Sequence, residues 1–289
     1  MEQLIIGVFE QGFIYAIMAL GVYITYKILD FPDLSVDSTF PLGAAVTTIM
    51  LSEGKNPLLA LVASVAAGAA AGMVTGLIHV KCKVRDLLSG IIVMTGLYTL
   101  NLRIVGGSAN VPLFNYESVF DNDFVNGIFP EALAPYKTVI IIFVIMLIAK
   151  ILLDLYLKTK SGYLLRAVGD NPTIVTSLAK DSGFVKIIGL AISNGLVALA
   201  GSVMCQQQRF FEISMGTGTI VIGLASVIIG TNVFKGNFLK ATTAVVIGSV
   251  IYKACVAIAI EVGLPATDLK MITAILFLVI LIVSMDRKK

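Results

Sequence analysis

Residues 161–184 read SGYLLRAVGDNPTIVTSLAKDSGF, a polar, capped stretch set between long apolar runs. The surrounding chain is 57% hydrophobic and 13% charged, with a mean hydropathy of +0.95. Soluble domains carry about a quarter charged residues. A chain of 289 residues this apolar cannot hide its side chains inside a soluble globule, so its main solvent is lipid. The quoted stretch is therefore an aqueous loop, and it fixes the reading of everything on either side.

Working outward, apolar runs occur at 3–26, 38–51, 57–80, 86–105, 135–157, 184–206, 214–233, 238–260 and 268–285. A helix needs about 20 such residues to cross a bilayer. The expected fold is all-α: a polytopic membrane helix bundle of about nine segments (8–10). It forms one transmembrane domain over 1–289, with a cytoplasmic segment 158–183 and an external loop 106–134. The second run is short and follows DFPDLSVDSTFPLG (30–43), which contains Pro32, Pro41 and three aspartates. Carboxylates facing lipid need partners or water. A broken or re-entrant segment near 31–51, packed within protein, is expected.

Lysine and arginine set the orientation. With 158–183 in the cytoplasm, nine segments place the N-terminus outside and the C-terminus inside. Lys27, Lys81, Lys83, Arg85, Lys158, Lys160, Arg166, Lys180, Lys186, Lys235, Lys240 and the terminal Arg287, Lys288 and Lys289 then fall inside. Lys55, Arg103, Lys137, Arg209 and Lys270 fall outside, and loop 106–134 has four acids and no basic residue. This is the bias of the positive-inside rule. The net charge of +3 is too small and scattered for nucleic acid, and Cys82, Cys205 and Cys255 show neither disulfide nor zinc spacing. The start, MEQLIIGVFEQG, lacks the basic n-region and cleavage site of a signal peptide.

Within the opening stretch, Asn171 and Pro172 form a helix start: a capping side chain, then proline at the first helical position. The helix should run to Ala179 or Lys180 and stop at Asp181-Ser182-Gly183. Ile174, Val175, Leu178 and Ala179 share one face, and Tyr163–Val168 should form a short helical piece ending at Gly169. One lysine and no large aromatic in the helix argue against a lipid-surface anchor. An apolar face with defined caps suits a groove on another protein.

SGYLLRAVGDNP (161–172), GLVALAGSVMCQQQ (195–208) and SMGTGTIVIGLASVIIG (214–230) together resemble the permease subunits of bacterial ABC importers, in the branched-chain amino acid and ribose permease superfamily. DFPDLSVDSTFPLGAA (30–45) and LSGIIVMTGLYTLNLRIVGGSANVPLF (88–114) resemble its tryptophan/tyrosine-type branch. The resemblance implies that Gly162, Arg166, Ala167, Gly169, Asn171, Pro172, Ile174, Val175, Leu178 and Ala179 form a coupling element for a separate ABC ATPase. It also implies a second permease subunit (a homodimer) in the bacterial cell membrane, and an external solute-binding protein delivering an amino acid of aromatic or branched-chain type. ATP and magnesium would sit on the ATPase. The chain itself has no G-x-x-x-x-G-K-[ST] loop and is expected to bind no cofactor.

Polar residues inside apolar runs are the candidates for a solute pathway, because facing lipid would be expensive. They are Thr95, Tyr98 and Asn101, spaced by three along one helix, and Ser193 and Asn194. Glu10, Asp33, Asp37, Lys150 and Lys253 are the charges to place, and His79 reads as interfacial. Ser64, Gly68, Gly72 and Gly76 recur every four residues as a small-residue helix-packing ridge. The competing reading is an ion-coupled secondary transporter using Glu10, Asp33 or Lys253. An intramembrane enzyme is disfavoured by the lack of paired catalytic carboxylates and of H-E-x-x-H.

Overall fold

The computed structural model describes residues 2–128, 130–171, 181–234, 239–262 and 268–286. In chain order the long helices are α1 (Glu2–Val22, continued by a π-helical turn Tyr23–Ile28), α2 (Val36–Ser52), α3 (Pro57–Lys81) and α4 (Asp86–Ile104). After strand β1 (Asn110–Pro112) and the short α5 (Asp123–Ile128) come α6 (Lys137–Leu157) and α7 (Lys160–Asp170). Then follow α8 (Ser182–Gln208), strand β2 (Phe210–Glu212), α9 (Thr219–Val233), α10 (Ala241–Glu261) and α11 (Leu269–Asp286). Among the described residues, seven helical segments are long and apolar enough to cross a membrane. The chain is a multi-pass, all-α membrane protein. The other two expected runs, 38–51 and 268–285, are helical as α2 and α11 but fall outside those seven.

α8 is the axis of the bundle, and its contacts define the two ends. α1 runs antiparallel to it: Gln207 donates to Glu10 at 3.0 Å near one end, and the Ser193 hydroxyl donates to Gly21 O at 2.8 Å near the middle. α3 is also antiparallel and packs through its small-residue ridge. A Cβ at Gly68 or Gly72 would run into the α8 backbone at Asn194 or Leu190, and one at Gly76 would meet Ile187 Cα at 2.9 Å. The Ser64 hydroxyl donates to Gly43 O at 2.9 Å, linking α3 to α2. Where β1 pairs antiparallel with β2, with Val111 opposite Phe211, lies what is called below the ribbon end. The opposite end carries α7.

The irregularity expected near 31–51 lies ahead of α2 and not within it. α2 is unbroken through Pro41 and buried over most of its surface, including Phe40, Ala44, Ala45 and Thr48. The interruption lies before it, at Leu29–Ser35, where Asp30 adopts φ 50°. Proline removes the hydrogen bond to the carbonyl four residues earlier, here Asp37. Gly216 lies against that freed carbonyl, with no room for a Cβ.

Candidate functional site

Two connectors re-enter the bundle and meet in its middle. Leu29–Ser35 climbs from the α7 end, and the segment after Gln208 descends from the ribbon end. α2 and α9 start where they meet and run away in opposite directions.

The first connector is held by Asp33, fully buried. Its carboxylate accepts from Ser35 N at 2.9 Å and from Asn194 Nδ2 at 2.8 Å. The Ser35 hydroxyl donates to Asn194 Oδ1 at 3.2 Å. Asn194 stands at the middle of α8, so α2 begins at mid-bundle. A buried carboxylate is tolerable only with such partners. Gly90 of α4 closes the site, because a Cβ there would lie 2.8 Å from Leu34 N.

The second connector ends at Gly218, the N-cap position of α9, with φ 84°. That backbone shape favours glycine, yet glycine has no side chain to cap the helix. Asp37, in the first turn of α2, supplies the cap from across the junction. Its carboxylate accepts from Gly218 N at 3.0 Å, Ile220 N at 2.9 Å and the Thr219 hydroxyl at 3.1 Å. Two helix N-termini, each the positive end of its dipole, thus share one carboxylate. Interrupted helices that face each other at mid-membrane are an arrangement used by transport proteins.

The expected pathway residues divide. Asn101 points inward, its Nδ2 donating to Ser38 O at 2.9 Å, and is buried like Ser193 and Asn194. Thr95 and Tyr98 are exposed on α4. A spacing of three drifts around a helix, which carries Asn101 onto the packed side. Thr217 and Ser214 of the second connector are exposed as well, and the connector's Ile213–Gly216 turn touches α4.

The charges are mostly committed. Lys150 pairs with Asp154 at 3.0 Å. Lys253 lies 3.8 Å from the Tyr15 ring centroid and donates to Gln11 at 3.3 Å. His79 Nδ1 is 2.9 Å from Val84 O and its ring meets Phe31 edge-on, an interfacial packing role. Among the described residues no group of His, Cys, Asp and Glu is placed to hold a metal.

At the α7 end, α7 runs over Lys160–Asp170 and is longer than the expected turn at Tyr163–Val168. The Thr159 hydroxyl caps it by accepting from Gly162 N at 3.2 Å. A Cβ at Gly162 would strike Tyr156 and Leu157 of α6, and one at Gly169 would strike Ile28 O. Leu165 and Val168 are buried, Ala167 half-buried and Arg166 exposed. Asn171 follows α7, its N–H bonded to Ala167 O at 2.9 Å. Pro172, Ile174, Val175, Leu178 and Ala179 lie outside the described residues.

Sequence reasoning passed over Gln206, Gly216 and Gly218. Gln206 accepts from Val119 N at 2.9 Å and so ties the 106–134 loop to α8. The alternating glycines in SMGTGT, just before an apolar run, were the available signal for a tight backbone approach.

The model of the family described as branched-chain amino acid transport system / permease component matches residues 4–285. The chain is 46% identical to the tyrosine transport system permease protein of Clostridioides difficile (strain R20291), over 96% of this chain and 90% of the relative. It is 31% identical to uncharacterized protein RP368 of Rickettsia prowazekii (strain Madrid E), over 96% of both. The ribose import permease protein RbsC of Escherichia coli (strain K12) is 26% identical, over 80% of this chain and 70% of the relative. No solved structure matches the chain. A helix bundle interrupted at its centre, matched over nearly its whole length by one family, leads to one assignment: the chain belongs to the family of permease components of branched-chain amino acid transport systems.

Proposed function

We propose that the chain is the permease subunit of an ATP-driven importer in the bacterial cytoplasmic membrane, working as a homodimer. Its ribbon end faces outward and its α7 end faces the cytoplasm, with nine membrane segments. An external binding protein delivers an aromatic amino acid at the ribbon end. The likeness to a tyrosine transport permease over almost the full chain supports that substrate class.

The observation that carries the reading is the seating of α7. Gly169 abuts Ile28, the last residue before the first re-entering connector. Movement of α7 therefore passes through Leu29–Ser35 to the Asp33–Asn194 bond and on to Asp37, where α9 starts. An ATPase docked on α7 and on residues 172–180 could drive the junction without the chain binding nucleotide. Thr95, Tyr98 and Thr217 are the side chains offered to the solute, because they are polar and exposed, on α4 and on the second connector. Ser193, Asn194 and Asn101 serve as the fixed frame around it.

An ion-coupled carrier is supported less well. Glu10 is bonded to Gln207, Asp33 to Ser35 and Asn194, and Lys253 to Gln11. Isolation of the tagged chain from its native membrane separates the two readings. A permease subunit brings an ATPase with it, and binding protein plus solute stimulates hydrolysis. A carrier comes alone and needs an ion gradient.

A further inference from the structure

A second polar feature at the α7 end lies apart from the contact of Gly169 with Ile28. A cavity of about 280 Å³ opens between the π-helical turn after α1, the end of α6, α7 and the start of α10. Three cations line it, Lys158, Arg166 and Lys240, with a single carboxylate, Asp154. That carboxylate is already engaged. It lies 3.0 Å from Lys150 and 3.6 Å from Lys240, and it accepts from the Thr242 hydroxyl at 2.6 Å. Lys158 and Arg166 have no carboxylate within 4.0 Å among the described residues. Residues 172–180 and 235–238, which follow α7 and α9 in the sequence, contain no Asp or Glu. Positive charge therefore exceeds negative in a pocket that also faces the first turn of α10, where a helix dipole favours an anion.

An apolar stripe on α6 leads toward the cavity by helical spacing. Ile140, Val144, Leu147 and Ile151 are all exposed on α6. Their spacing of four, three and four puts them on one helical face, and three more residues along that face reach Asp154, with Lys158 four beyond it. α6 is the least buried of the seven membrane helices, at 22%. A carboxylate from a partner protein would use the charge and leave this stripe without purpose. A phospholipid uses both.

We propose that the cavity binds the phosphate of an anionic phospholipid, with Lys158 and Arg166 as its ligands and an acyl chain along the α6 stripe. The proposal does not depend on what the chain transports.

The full chain, purified in detergent and supplied with phosphatidylglycerol or phosphatidylcholine, is read by native mass spectrometry. The native chain should retain phosphatidylglycerol about tenfold more than phosphatidylcholine. K158Q/R166Q should remove that preference, and K158R/R166K should keep it. If the double variant is not monodisperse, K158Q alone should weaken the preference in the same direction. Excess inorganic phosphate should leave the bound lipid in place. Equal retention of the two lipids, an undiminished preference in K158Q/R166Q, or full displacement by inorganic phosphate would each overturn the proposal, the last showing a site for free phosphate.

Discussion

Asp37, in the first turn of α2, accepts a 2.9 Å hydrogen bond from the backbone N–H of Ile220, in the first turn of α9. The bond joins residues 183 positions apart and ties together two helices that both begin inside the bundle. With the bonds from Gly218 N and the Thr219 hydroxyl, it makes one side chain responsible for where α9 starts.

Asp37→Ala should therefore lower stability by about 1–2 kcal/mol, the range for losing a helix N-cap, and should reduce uptake more than stability alone explains. Asp37→Asn should keep most of the stability, since asparagine also caps well. Thermal unfolding in detergent, run beside uptake in vesicles, checks both. Native behaviour of the alanine variant in both assays would remove the junction from the account.

Asn194→Leu strands the buried Asp33 carboxylate, and the expected loss is about 2–3 kcal/mol. Replacing both partners with leucine should restore part of it, because two apolar groups leave no unpaired charge. A double-mutant cycle in chemical denaturation reads the coupling. Additive losses would mean that the two side chains do not depend on each other.

Gly72→Val pushes a branched side chain into the α8 backbone at Leu190 and should cost about 3 kcal/mol. Gly7 has nothing within 4 Å of where its Cβ would lie, so Gly7→Ala should be tolerated. Expression level and monodispersity after extraction report the contrast.

The loop at the ribbon end carries a pH-sensitive tie. Asp121 accepts from Asn126 at 3.1 Å and pairs with Arg209 at 2.7 Å, and these contacts hold its carboxyl below its ordinary value of 3.8. A depressed carboxylate contributes stability that is complete above the unfolded-state pKa and is lost as pH falls through the folded-state value. Amide protection factors around residues 118–122, corrected for intrinsic exchange, should therefore fall on acidification through that window and stay level at neutral pH. Arg209→Gln should show the lower protection already at neutral pH. The pair is partly exposed, so the effect is local and modest.

Much of this architecture was legible in the sequence. Seven of the expected apolar runs became helices long and apolar enough to cross a membrane, because about 20 apolar residues in lipid leave few other backbone solutions, and runs 38–51 and 268–285 are helical as well. The Ser64–Gly76 ridge was readable because its purpose, close backbone approach, needs only small residues at helical spacing. The region around 31–51 was flagged by its prolines and aspartates as broken or re-entrant, and the interruption lies at its start, in Leu29–Ser35 ahead of α2. Local composition marks that something is irregular, whereas partners from residues 194 and 216–220 decide where. The same limit applies to Thr95, Tyr98 and Asn101. Their spacing is shared, but only the neighbouring helices show that Asn101 is turned inward. The capping of Gly218 by Asp37 had no local signal, since it joins two segments that meet only in three dimensions.

The central claim is that α7 drives the Asp37 junction through the contact of Gly169 with Ile28. Its most direct test is uptake of an aromatic amino acid, measured together with ATP hydrolysis, in vesicles holding the chain with its ATPase and binding protein. Native vesicles should require ATP, and Gly169→Leu should move far fewer solute molecules per ATP hydrolysed. Uptake driven by an ion gradient without ATP, or an unchanged ratio in the variant, would contradict the account.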